Sequence, residues 1–128
     1  NSRSLLEGID STLQKQTFVD KQELELVSLT EIQADKQPIG YYAAMKPFTN
    51  HEFTLKSGQL LYMSSDGYPD QFGGAKGKKF KASNFKNRLS EISRFDLQKQ
   101  KEILDLEFEK WRGDLEQIDD VCIIGVRI

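Results

Sequence analysis

Leu5, Leu6, Ile9 and Leu13 fall on one stripe of a helical wheel, and this spacing predicts a helix from about Ser4 to Gln16. Gly8 weakens that helix by about 1 kcal/mol relative to alanine. Beyond a short polar link, Leu24, Leu26 and Ser28 alternate with Glu25 and Val27, a period of two that predicts a strand near Glu23 to Leu29. Pro38 with Gly40, and then Pro47, mark loops. Phe53 and Leu55 alternate with polar residues, Ser57-Gly58 supplies a turn, and Leu60 to Met63 form an apolar run, so His51 to Ser65 reads as a β-hairpin. The glycine- and lysine-rich stretch from Phe72 to Lys81 predicts a loop. Phe85, Leu89 and Ile92 then recur at helical spacing, with Ser83 as the expected N-cap. Asp96 is placed to cap a second helix whose Leu97, Ile103, Leu104, Phe108 and Trp111 share a face, and Gly113 ends it. Val121 to Ile128 is rich in β-branched residues and is expected to be a buried strand.

Strands followed by helices and a returning strand indicate an α+β fold, a mainly antiparallel sheet under helices, rather than alternating βαβ units. There is no internal repeat. At 128 residues the chain is one domain at most. With Asn1 in place of an initiator methionine and no apolar stretch behind it to serve as a signal peptide, it reads as a piece of something larger. No apolar run approaches the ~20 residues of a membrane span. Cys122 is the only cysteine, so no intrachain disulfide forms; a lone thiol in an apolar strand reads as a small core residue and fits a reducing, cytoplasmic setting.

A net charge of −2 argues against a protein that coats nucleic acid. The charge is uneven, however. Lys76, Lys78, Lys79, Lys81, Lys86 and Arg88 crowd one stretch, and Asp105, Glu107, Glu109, Asp114, Glu116, Asp119 and Asp120 make the C-terminal part acidic.

Asp66 lies where an apolar strand ends at a glycine, and Asp119-Asp120 lies where the last strand begins. If those strands are antiparallel neighbours, the carboxylates converge at one rim of the sheet. Mg²⁺ and Mn²⁺ take hard oxygen ligands of this kind, and two such ions about 3.5–4 Å apart suit phosphate-ester hydrolysis. The plainer alternative is a turn at Asp66-Gly67 and a solvated loop at Asp119-Asp120.

Ser65-Asp66-Gly67-Tyr68-Pro69-Asp70-Gln71-Phe72-Gly73-Gly74, followed later by Asp119-Asp120-Val121-Cys122-Ile123-Ile124, resembles the C-terminal half of a metal-dependent serine/threonine phosphatase domain. It is similar to the bacterial SpoIIE-like branch of the PPM superfamily. Ala34 to Gly40, Lys46 to Glu52 and Gly113 to Gln117 also fit, so that residues 23–128 match the family and 1–20 form an N-terminal helix and link. The resemblance implies an α/β sandwich with a binuclear Mn²⁺ or Mg²⁺ centre. It implies that Asp66 and Asp119 are direct metal ligands, that Asp120 supports them, and that Asp70 makes a water-mediated contact. It further implies a phosphorylated regulatory protein as substrate, of the anti-sigma-factor antagonist type. The relatives carry an upstream Asp-x-x-Gly-His-Gly element and an acidic position before it. Here Asp10-Ser11-Thr12 has no Gly-His-Gly behind it, and His51, the only histidine, sits elsewhere. The resemblance therefore implies half a metal site and little or no phosphatase activity from this chain alone. A non-catalytic interaction module of the same fold, and a fragment that forms a homodimer across an open sheet edge, are the competing readings.

Other features have simpler expectations. The basic loop from Gly73 to Lys81 either attracts a phosphorylated protein surface or is a solvated connection. Tyr68, Phe72 and Phe80 are expected to pin that loop to the core, His51 to be a hydrogen-bonded structural residue, and Trp111 to be core.

Overall fold

A computed structural model describes residues 27–128. The helix expected over Ser4 to Gln16 and most of the strand expected from Glu23 lie outside the described residues. Its last part, Val27 to Leu29, is irregular.

The ordered elements are β1 (Leu60–Ser64), a short helix α1 (Gly67–Asp70), β2 (Phe72–Gly73), β3 (Lys78–Lys79), α2 (Ala82–Ile92), α3 (Leu97–Arg112) and β4 (Ile123–Arg127). β1 and β4 pair antiparallel, from Leu60 opposite Arg127 to Ser64 opposite Ile123. Directly opposed residues share a face. Tyr62 and Ile123 therefore look toward the helices and pack against the core, while Met63, Ile124 and Val126 look away and are exposed. The final strand is thus half buried rather than fully buried, and Cys122 at its start is exposed, not a core residue.

The hairpin expected at His51 to Ser65 forms only in part. Ser57-Gly58 does turn the chain, with Gly58 at φ 87°, a value that side chains resist. Its amide, however, donates to the Ile128 carbonyl at 2.7 Å, and the Ile128 amide returns to Gln59 at 3.0 Å. β1 consequently takes the β-branched C-terminal segment as its partner, and residues 51–56 are not a strand. Alternation showed that Phe53 and Leu55 suit a strand, without showing which strand β1 would choose.

One cluster of buried side chains holds the helices together: Tyr68, Phe80, Phe85, Leu89, Ile92, Leu104 and Phe108. Phe85, Leu89 and Ile92 are the expected stripe of α2; Leu104 and Phe108 are that of α3. Asp96 caps α3 as expected, its carboxylate accepting from the Lys99 amide at 2.8 Å. Gly113 closes the helix at φ 56°, its amide donating to the Glu109 carbonyl. Gln100 is buried on the same face and accepts a 2.6 Å hydrogen bond from the Tyr62 hydroxyl, which ties α3 to β1. Arg127 reaches the carbonyls of Ser93 and Phe95 and ties β4 to the turn between α2 and α3.

Phe72 to Lys81 is not a plain loop. Phe72 pairs with Lys79 and Gly73 with Lys78 in a small antiparallel hairpin. Trp111 fixes it: the Gly74 amide donates to the Trp111 carbonyl at 2.8 Å, and the Trp111 indole N–H donates to the Gln71 carbonyl at 3.0 Å. A Cβ at Gly73 would overlap that same carbonyl of Trp111, so the hairpin needs glycine to lie this close. Phe80 meets the Trp111 ring edge-on with centroids 5.3 Å apart. Tyr68 and Phe80 are anchors, as expected. Phe72 is not; it is exposed, and the Lys79 ammonium stands 5.9 Å from its ring centroid.

The N-cap of α2 also departs from expectation. The helix opens at Ala82, so Lys81 rather than Ser83 occupies the cap position, with no side-chain capping bond. The anchor is main-chain: the Lys81 amide donates to the Pro69 carbonyl at 2.8 Å, and the Phe85 amide returns to the Lys81 carbonyl at 3.1 Å. Holding both bonds forces Lys81 to φ 80° and ψ 144°, the one positive φ at a non-glycine residue among the described residues. Such backbone costs a side-chain-bearing residue on the order of 1–3 kcal/mol. Glycine there would lose about 0.4–1 kcal/mol through its freer unfolded chain, so the strain term wins. Lys81→Gly is expected to raise the melting temperature by a few degrees in a thermal scan.

Candidate functional site

The end of β1 and the start of β4 are stitched by one side chain. The Ser65 amide donates to the Cys122 carbonyl at 2.9 Å. Its hydroxyl accepts from the Cys122 amide at 3.0 Å and donates to the Asp120 carbonyl at 2.8 Å. One residue on, Gly67 is buried against that same carbonyl, where a Cβ would overlap the oxygen and meet Val121 Cγ2 at 3.2 Å. The backbones bearing Asp66 and Asp120 therefore abut, as the antiparallel expectation required, and Asp119 is the next residue out.

The four aspartates singled out in the sequence differ in what engages them. Asp66 is exposed and occupies the N-cap position of α1, yet its carboxylate makes no capping bond; its carbonyl accepts from Asp70 at 3.0 Å. Asp119 is exposed, and its carboxylate accepts from the Asp120 amide at 2.8 Å. The Gln117 amide side chain holds the Asp119 carbonyl at 2.9 Å. Asp120 is exposed as well, with its carbonyl committed to Ser65. Asp70 is drawn into an ion pair with Lys79 at 3.1 Å. Among the described residues no three or more His, Cys, Asp or Glu side chains are grouped closely enough to hold a metal ion. Oxygen donors on adjoining backbones are the type a hard divalent cation takes, so the donor chemistry fits. A complete shell would need further donors, from water or from beyond this set.

Ser65 is the residue that sequence reasoning missed as a positioning group. Its signal was a small hydroxyl residue between the last strand residue and Asp66, able to serve both a carbonyl and an amide.

Below the rim, Tyr68 is 2% exposed; burial, and then the negative charge of Glu107, push its hydroxyl well above the usual phenol range. It is a structural proton donor, reaching the Leu104 carbonyl at 3.1 Å. Arg88 binds Glu107 at 2.7 Å and Glu91 at 2.8 Å. Burial works against its charge, but these partners outweigh it and hold the guanidinium protonated more firmly than usual. Upstream, Asp35 accepts from the Thr49 amide at 2.6 Å and hydroxyl at 2.9 Å. Those two bonds lower its pKa, so the clasp holds at neutral pH and loosens only as acid carries the pH down through the lowered value. His51 is exposed in the same irregular segment.

The family described as Stage II sporulation protein E (SpoIIE) matches residues 18–128. The chain belongs to the SpoIIE family. This places it with the SpoIIE-like branch of the PPM phosphatases, and its helices packed over small antiparallel sheets agree with part of that fold. Among solved structures it is similar to the "SiaA-PP2C domain of Pseudomonas aeruginosa", at 31% identity and a TM-score of 0.61. The likeness covers 65% of this chain and 34% of that one, so the chain spans about a third of the length of that relative. Curated proteins give no match. No helix among the described residues is long and apolar enough to cross a membrane.

Proposed function

We propose that the chain is the C-terminal portion of a SpoIIE-type phosphatase domain that removes phosphate from phosphoserine or phosphothreonine on a regulatory protein. In this reading Asp66 and Asp119 are direct ligands of Mn²⁺ or Mg²⁺. Asp120 supports them through the Ser65 stitch, and Asp70 stands one helical turn behind. The observation that carries the reading is the Ser65 bridge, which sets the backbones of Asp66 and Asp120 side by side. When bound, the metal supplies a water activated as a nucleophile toward phosphorus. The protein's part is to present carboxylate oxygens to the cation: the Asp66 carboxylate makes no capping bond, and Asp119 spends one oxygen on the Asp120 amide and keeps the other. Two direct carboxylates are fewer than a two-metal centre needs, so turnover by this chain alone is expected to be slow or absent.

Calorimetric titration with Mn²⁺ tests the assignment. Asp66→Asn and Asp119→Asn are each expected to weaken binding by at least about tenfold, the scale on which altering a metal site acts. Any turnover of p-nitrophenyl phosphate should vanish with Asp66→Asn. A non-catalytic, partner-binding role for the fold predicts the opposite: Mn²⁺ affinity indifferent to both substitutions.

A further inference from the structure

Between Asp70 and Glu91 the chain carries six basic residues and no acidic one. Three of the six are committed within the protein: Lys79 to Asp70, Lys86 to Glu31, and Arg88 to Glu107 and Glu91. The other three are Lys76, Lys78 and Lys81. All are exposed, all lie on the β2–β3 hairpin or at its exit, and none has an ion-pair partner among the described residues. The hairpin is a fixed platform, clamped by Gly73 and Gly74 against Trp111 and joined to the rim at two points. Lys79 pairs with Asp70, whose amide binds the Asp66 carbonyl, and the Lys81 amide binds the Pro69 carbonyl. Lys81 keeps its place at the cost of a backbone conformation that glycine would hold more easily, and strain retained beside a candidate site is a pointer to use.

We propose that Lys76, Lys78 and Lys81 form a docking platform for an acidic, phosphorylated segment of a protein partner, leading that segment toward the Asp66–Asp119 rim. The proposal rests on the phosphatase reading and names the surface by which its substrate is gripped. Lysines bind phosphate and carboxylate as point charges, and a fixed cluster of unpaired ones raises the rate and selectivity of encounter with a chain of opposite sign. Lys79 and Asp70 anchor the platform and are not part of the grip.

Fluorescence anisotropy with a short labelled peptide, a central phosphoserine flanked by glutamates, provides the test. It is run in EDTA, so that metal ligation plays no part and failure of the platform is separable from failure of the Mn²⁺ titration. The peptide is expected to bind the wild-type chain with an affinity that falls as salt rises. The Lys76→Glu/Lys78→Glu/Lys81→Glu variant should bind on the order of tenfold more weakly, through the loss of several exposed charge contacts. Lys81→Gly should lose part of the affinity while gaining thermal stability, a pairing that a purely structural lysine would not give. Equal affinity of the triple variant, or equal binding of an unphosphorylated peptide with neutral flanks, would overturn the proposal. So would tighter binding of a single-stranded oligouridine than of the phosphopeptide.

Discussion

Gly67→Ala is expected to destabilise the protein by an amount near the top of the ~1–3 kcal/mol range for overpacking, and to loosen the proposed metal-binding rim with it. The added methyl has nowhere to go: it would overlap the Asp120 carbonyl, a backbone atom that no rotamer change can move. Relief requires the start of β4 to shift away from the end of β1. That shift breaks the bonds from Ser65 to Asp120 and Cys122. Urea titration should therefore show a lower midpoint, and Mn²⁺ affinity should fall although no carboxylate has been altered. A midpoint equal to that of the unaltered protein would mean that the two strand ends do not meet as described.

Tyr68→Ala should cost about 3–5 kcal/mol, the usual price of removing a buried aromatic ring. Tyr68 packs with centroids 5.0 to 5.2 Å from Phe85, Phe108 and Phe80, so one ring joins α1, α2, α3 and the hairpin exit. Tyr68→Phe keeps those contacts and loses only the hydroxyl's hydrogen bonds to the Leu104 carbonyl at 3.1 Å and, more weakly, to the Glu107 carboxylate at 3.4 Å, an effect of about 1–2 kcal/mol. Domain stabilities are about 5–15 kcal/mol, so the alanine variant is expected to lose a large share of its stability and the phenylalanine variant little of it. Near-UV circular dichroism with urea titration distinguishes them; comparable midpoints for the two variants would remove Tyr68 from the centre of the core.

The parts of this architecture that rest on local spacing were legible in the chain. Asp96 and Gly113 bracket α3 because capping and left-handed closure are chemistry of single residues. Phe85, Leu89 and Ile92 bury together because a helix places them on one stripe. The antiparallel pairing of β1 with β4, which sets Ser65 and Gly67 against the Asp120 carbonyl, was legible only conditionally, since periodicity identifies a strand without naming its neighbour. The same gap explains the hairpin partner misjudged at Phe53 and Leu55, and Cys122, apolar in context yet exposed. Pattern shows which faces a strand has, and tertiary packing decides whether either is covered. Phe72 to Lys81 misled for a different reason: Gly73 and Gly74 are there to let Trp111 approach, not to keep the segment loose. The Ser65 hydroxyl acts across 55 and 57 positions of sequence, a reach that no local pattern records.

Every buried apolar side chain among the described residues falls between Tyr68 and Phe108. From Val27 to Lys56 the clasps at Gln37–Lys46 and Asp35–Thr49 close on the stretch itself, and the ion pair that ties it to the helices is Lys86 with Glu31. A nick by a protease upstream of Ser57 is therefore expected to leave the aspartate-bearing remainder able to hold its shape, which makes it the natural fragment for crystallisation or isotope labelling.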